Sequence, residues 1–142
     1  MGARLTPLIF LPALLLAVSP VAALDEADHA AAKTVIMRQV EALGRDDAAT
    51  AYDQAAPGIR SLFPTPDVFI GMVRTSYRPI YRHRSFVFSG KQDGSETTLT
   101  QSVAIQDTDG IDWTAEYSLE RQSDGQWRIA GCRLIKSPGT NL

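Results

Sequence analysis

The sequence predicts an α+β domain in which three N-terminal helices pack on a curved, cone-like, four-stranded antiparallel sheet, preceded by a signal peptide. Three observations carry this. Apolar residues recur at helical spacing only between residues 27 and 77. Beyond residue 83 the chain alternates apolar and polar residues, with short Gly-containing turns between the runs. Ahead of both lies an apolar stretch with the flanks of an export signal.

The leader comes first. Arg4 supplies a single positive charge, and Leu8 to Val18 is almost unbroken apolar. Ser19-Pro20 breaks that run, and Val21-Ala22-Ala23 places small residues where a signal peptidase needs them. The run is shorter than the ~20 apolar residues of a membrane span. A retained amphipathic or membrane helix is the alternative reading. No cysteine directly follows the apolar run, which argues against a lipoprotein anchor. The expected organisation is therefore a signal peptide over 1–23 and one α+β domain over 24–142, ordered from about 27 to 136, with no membrane span after cleavage.

Cleavage after Ala23 leaves 119 of the 142 residues, enough for a core without disulfide staples. Loss of Arg4 leaves 13 basic residues against 16 acidic, a net charge of −3. That balance argues against nucleic acid, which calls for a basic footprint. Cys132 is the single cysteine and has no partner within the chain. Its β-like setting, Ile129 to Ile135, suits a small buried hydrophobe; a reactive or dimer-forming thiol is the sharper alternative.

In the first helix Ala32, Ile36, Val40 and Leu43 form the stripe, widened by Val35, and Gly44 ends it. Asp46 or Asp47 caps a second helix carrying Ala48, Ala51, Tyr52 and Ala55, which Pro57-Gly58 ends. Ile59 to Phe63 reads as a short turn. Thr65, Pro66 and Asp67 supply the cap, first turn and dipole charge of a third helix, with Phe69, Met72, Val73 and Ser76 or Tyr77 on one side. Pro79 biases Arg78 toward extended backbone, so the helix should end near Tyr77.

Four strands are expected at about 84–90, 97–106, 111–121 and 126–136. The third alternates most cleanly, with Ile111, Trp113, Ala115, Tyr117 and Leu119 on a dry face and Asp112, Thr114, Glu116, Ser118 and Glu120 on a wet one. Turns at 92–95, 107–110 and 123–125 imply hairpins, hence a meander. The helices are the elements available to cover the dry face, and long twisted strands should curl around them.

Several stretches together resemble the exported bacterial domain-of-unknown-function 4864 family. They are Arg38 to Ala42 with Asp46-Asp47-Ala48, Phe69 to Val73, Tyr77 to Arg82, Ala115-Glu116-Tyr117, and Asp124 to Leu134. The resemblance covers essentially the whole domain after the leader. It implies the nuclear transport factor 2-like (cystatin-like) cone fold, a bacterial source and a periplasmic address. It implies no activity, because this fold serves isomerases, dehydratases and binding modules alike.

Residue chemistry yields two candidate sets. Tyr52, Tyr77, Tyr81, Trp113, Tyr117 and Trp127 could line an aromatic pocket. Gln101 shares parity with Leu99, Val103 and Ile105, and Arg133 with Ile129 and Ile135, which places polar groups on apolar faces. A few polar groups converging in an apolar concavity make a small-molecule site; packed core is the plainer reading. Arg74, Arg78, Arg82 and Arg84, with His83, could hold a carboxylate or phosphate; a solvated helix end is the plainer reading there. Asp107-Thr108-Asp109-Gly110 lacks the further oxygens of a calcium loop, and neither a metal site nor a cofactor is expected.

The function expected is a non-catalytic periplasmic module for a small, partly apolar or anionic ligand or a protein partner. One alternative is a cone-fold isomerase or hydrolase using His83. Another is a module that dimerises through the outer sheet face. A Cys132–His83 pair would need strands one and four to meet, which a meander does not allow.

Overall fold

The computed structural model describes residues 24–139 and, ahead of them, 2–4, 7, 9 and 12–16. Most of the expected signal peptide, including the cleavage site at Ala23, lies outside the described residues. No described helix is long and apolar enough to cross a membrane.

Five helical segments precede the sheet, where three helices and a turn were expected. Helix α1 (Glu26–Gly44) begins at a reciprocal capping box: Asp25 accepts from the Asp28 N–H and Asp28 accepts from the Asp25 N–H. Its buried face carries the expected stripe and, between Ile36 and Val40, Gln39. Asp47 caps α2 (Ala48–Asp53) by accepting from the Thr50 N–H. Pro57 does not merely end α2. It sits at the start of α3 (Pro57–Leu62), because a residue without an N–H fits the first helical turn. Thr65 caps α4 (Pro66–Ser76) as expected.

The chain also does not leave helical backbone at Tyr77. Tyr77 makes an elbow, and Arg78–Tyr81 forms a further turn, α5, with Pro79 at its start. The same rule explains both corrections, since a proline read as a stop served as a start.

The sheet consists of β1 (His83–Gly94), β2 (Thr98–Asp107), β3 (Asp112–Arg121) and β4 (Trp127–Lys136), antiparallel in the order β1-β2-β3-β4. The segment between α2 and α3 adds one parallel bridge to the β4 edge: the Ala56 N–H donates to the Ile129 carbonyl, and the Ile129 N–H to that of Gln54, each at 2.8 Å. The hairpins close through Gly110 (φ 79°) and Gly125 (φ 82°), a left-handed conformation that glycine adopts without strain.

The pairing of β3 with β4 slips once. Ser118 faces Gly131 but Leu119 faces Ile129, so Ala130 is an extra residue in β4. A one-residue bulge reverses the side-chain parity beyond it. Trp127 and Ile129 point into the core before it, and Cys132 and Leu134 do so after it. Arg133 therefore faces outward and pairs with Glu116 at 2.7 Å, so its expected place on the apolar face is corrected.

At its first turn, α1 is tied to the sheet through Asp28. Its carboxylate accepts from the Trp127 indole N–H at 3.2 Å and pairs with Arg121, whose guanidinium lies over the Trp127 ring. Burial pushes the Asp28 carboxyl up. The Asp25 N–H, the Trp127 N–H and Arg121 outweigh this and hold it below its usual value. A lowered carboxyl stabilises above the usual carboxylate range, and that stability disappears as pH falls through the folded value. Asp28→Asn should lower Tm at pH 7 by about 4–8 °C, for a loss of about 1 kcal/mol. Thermal melts of mutant and wild type should converge as pH falls through the lowered Asp28 value, where the wild-type carboxyl is protonated as well.

Candidate functional site

Helix α1 packs against β2 and β4, α5 against β2 and α3 against β4, while α4 packs on α2 and α5. The covering is incomplete. A cavity of about 380 Å³ remains between the α4–α5 elbow, α3 and the strands β3 and β4. Phe69, Met72, Val73 and Ile80 form one wall, Ile59 and Phe63 the side under α3, and Tyr117, Ile129, Gly131 and Cys132 the floor.

Gly131 contributes backbone to the floor, since its pairing with Ser118 turns its side-chain position to the outer face.

No charged side chain lines this cavity. Its polar groups are Gln39, Ser76, the phenols of Tyr77 and Tyr117, and the Cys132 thiol. Gln39 is occupied, donating to the Ala51 carbonyl at 3.2 Å. Tyr77 donates to the Cys132 carbonyl at 3.0 Å and so pins the elbow to β4. Tyr117 is different: it is 1% exposed, and its hydroxyl has no partner among the described residues. Burial pushes both phenols up, Tyr117 well above the usual tyrosine value, so both stay neutral hydrogen-bond donors.

Cys132 is pushed up to about 12, first by burial and then by the nearby Glu116 carboxylate. A thiol of that kind is a small apolar group, not a nucleophile. His83 lies on β1, at the opposite edge of the sheet from Cys132 on β4. Its Nδ1 is 3.1 Å from the Pro79 carbonyl and 3.2 Å from that of Ile80, and the ring packs on Phe86. That geometry puts the proton on Nδ1 and makes His83 a clasp between α5 and β1.

Of the expected pocket residues, Tyr77 and Tyr117 meet in the cavity and the others do not. Tyr52 is packed against Phe69, its hydroxyl donating to the Phe63 carbonyl at 2.7 Å. Trp127 serves the Asp28 clasp. Trp113 donates to Asp107 at 2.9 Å, fixing the β2–β3 turn. Gln101 is buried as expected, but its Nε2 donates to the Ser89 and Ser102 carbonyls and it lies away from the cavity. Gln39 and Ser76 were missed as pocket residues, although both share the apolar stripes of their helices.

Tyr81 and three of the arginines belong to a second, polar recess of about 260 Å³ on the outside of the elbow. Arg74, Arg78, Tyr81 and Arg82 form one wall, and Asp107, Thr108 and Asp109 the other. Behind Tyr81 stands Asp46, a non-glycine residue at φ 57°. Its carboxylate accepts from the Tyr81 hydroxyl, from Arg82 at 3.1 Å and from Arg74 at 3.5 Å. The Tyr81 hydrogen bond, with help from both guanidiniums, holds the Asp46 carboxyl below its usual value. Arg84 is apart from this set, and its charge acts on Asp107.

The model of the family described as "Domain of unknown function (DUF4864)" matches residues 25–142. The chain belongs to the DUF4864 family. Among solved structures, a crystal structure of an NTF2-like protein of unknown function from Shewanella baltica OS155 is similar at 13% identity and a TM-score of 0.53. The match covers 80% of this DUF4864 chain and 96% of that one, which shows the NTF2-like fold. No protein of curated function matches this DUF4864 sequence.

The cavity makes one chemical prediction at once. With Cys132 pushed up to about 12, its thiolate fraction at pH 8 is on the order of a thousandfold below that of a free cysteine. Iodoacetamide labelling of the native domain, followed by intact mass, should be slowed to match, and unfolding in guanidinium should restore the ordinary rate.

Proposed function

We propose that this domain is a non-catalytic, exported periplasmic module that binds a small, neutral, largely apolar ligand carrying one hydrogen-bond acceptor. The Tyr117 hydroxyl carries this reading: it is buried, neutral and unpartnered beside a cavity of about 380 Å³ with no charged lining residue. A buried donor without an acceptor costs about 1–3 kcal/mol, and a ligand carbonyl or ether oxygen that reached it would recover that cost. The volume falls in the range of small-molecule pockets, and the apolar walls reward burial of hydrocarbon at roughly 25 cal/mol per Å². An ionised ligand would lose its hydration with no counter-charge in return.

Acid–base chemistry finds less support. The lining offers phenols, an amide, a hydroxyl and a raised thiol, and His83 is not part of it. The export reading rests on the apolar leader and the small residues before Leu24.

A test uses 6-propionyl-2-(dimethylamino)naphthalene, a neutral fluorescent ketone, beside its 6-carboxylate counterpart. The ketone should bind with a blue shift and the carboxylate should not. Tyr117→Phe should weaken the ketone about five- to tenfold, as expected for one hydrogen bond, and should raise Tm of the free protein. Val73→Trp should fill the cavity and abolish the response. Equal binding of both probes, or an unchanged response in Val73→Trp, would defeat the proposal.

A further inference from the structure

The recess on the outer side of the elbow is separate from the apolar cavity, although both are built on the same turn of chain. Val73, Tyr77 and Ile80 face the cavity, whereas Arg74, Arg78 and Arg82 face the recess. We propose that this recess is a second binding site, for the phosphate group of a free small molecule.

The argument begins with which guanidinium groups are already occupied. Arg82 gives Nη1 to the Leu43 and Tyr81 carbonyls, at 3.0 and 2.8 Å, and Nη2 to Asp46 and the Tyr81 hydroxyl. Arg74 gives Nε to the Tyr81 hydroxyl at 3.1 Å and Nη2 to Asp46. These bonds fix both planes against Tyr81, whose ring centroid is 3.8 Å from the Arg82 guanidinium carbon and 5.5 Å from that of Arg74. Nε of Arg82 and Nη1 of Arg74 keep no protein acceptor among the described residues. The side chain of Arg78 has neither an ion pair nor a hydrogen bond among them. One unengaged fork thus stands beside two fixed ones, each with a donor to spare.

The opposite wall offsets them only in part, with the carboxylates of Asp107 and Asp109. Asp107 is consumed by its own turn: Oδ1 accepts from the Asp109 and Ile111 N–H groups, and Oδ2 from the Trp113 indole, all at 2.9 Å. Asp46 lies behind Tyr81 and is shared by two arginines. Asp107 and Asp109 both repel an incoming anion from the facing wall, but Arg84 offsets part of the Asp107 charge, which leaves Asp109 the stronger opponent. A tetrahedral dianion matches three converging guanidinium groups better than a single carboxylate does, because its oxygens can accept from several planes at once. The recess is too small and too enclosed by the 107–109 turn for a macromolecular surface to be the first choice.

Inorganic phosphate is the probe. Titrated into the ¹⁵N-labelled domain at constant ionic strength with chloride, it should give saturable amide shifts confined to residues 74–84 and 107–110. Arg78→Gln should weaken binding about tenfold, as expected for a charge-assisted hydrogen bond, with Tm unchanged because this side chain holds nothing in place. Asp109→Asn should tighten binding. Both should leave the response to the neutral ketone untouched, whereas Tyr117→Phe should leave phosphate binding untouched, so the two sites fail or succeed separately. Linear shifts without saturation, or equal affinity in Arg78→Gln, would overturn the proposal. So would binding to phosphatidic acid vesicles without any response to free phosphate.

Discussion

The inner face of the sheet has to be kept from water, and the rest of the molecule follows from how that is done. Four strands of ten to twelve residues present Leu99, Val103, Ile105, Ala115, Tyr117 and Leu119 on one side, all buried. A single helix is about 10 Å across, whereas four strands span roughly 15 Å and twist. Helix α1 cannot cover that width alone. The sheet curls toward it, and α3 and α5 pack on strands beside it, with α4 held against α2 and α5. The cavity is the space that these helices leave unfilled.

That constraint sorts the polar residues. Some act as fastenings: Asp28 joins α1 to Trp127 and Arg121, and Gln101 bridges strand carbonyls. Tyr77 ties the elbow to β4 by a hydrogen bond to the Cys132 carbonyl. The unpartnered Tyr117 hydroxyl lies beside that tie, at the cavity floor. Strain and unmet polar groups persist where surrounding structure imposes them, and binding sites are among such places.

The elbow at Tyr77 gives one segment two environments. Successive helical residues point about 100° apart, so Val73 lines the apolar cavity while Arg74 lines the arginine recess, and the two share a wall of opposite chemistry. Asp46 holds the outer layer of that wall from the α1–α2 junction, accepting from Tyr81, Arg74 and Arg82 together. The left-handed backbone of Asp46, which aspartate tolerates better than most residues, is what aims its carboxylate there.

Local chemistry in the sequence determined the order of helices and strands, the meander and the dry face of β3, because caps, turn glycines and two-residue alternation act over a few residues. Gln101 was placed correctly on an apolar face for the same reason. Arg133 was not, since the bulge at Ala130 arises from pairing with β3 and leaves no mark of its own in β4. The prolines at 57 and 79 were ambiguous between stop and start until the packing of α3 and α5 chose. Which aromatics meet in a cavity was beyond any local rule. Tyr77 and Tyr117 are forty residues apart in the chain, and only the curl of the sheet around too narrow a helical cover brings them to one space.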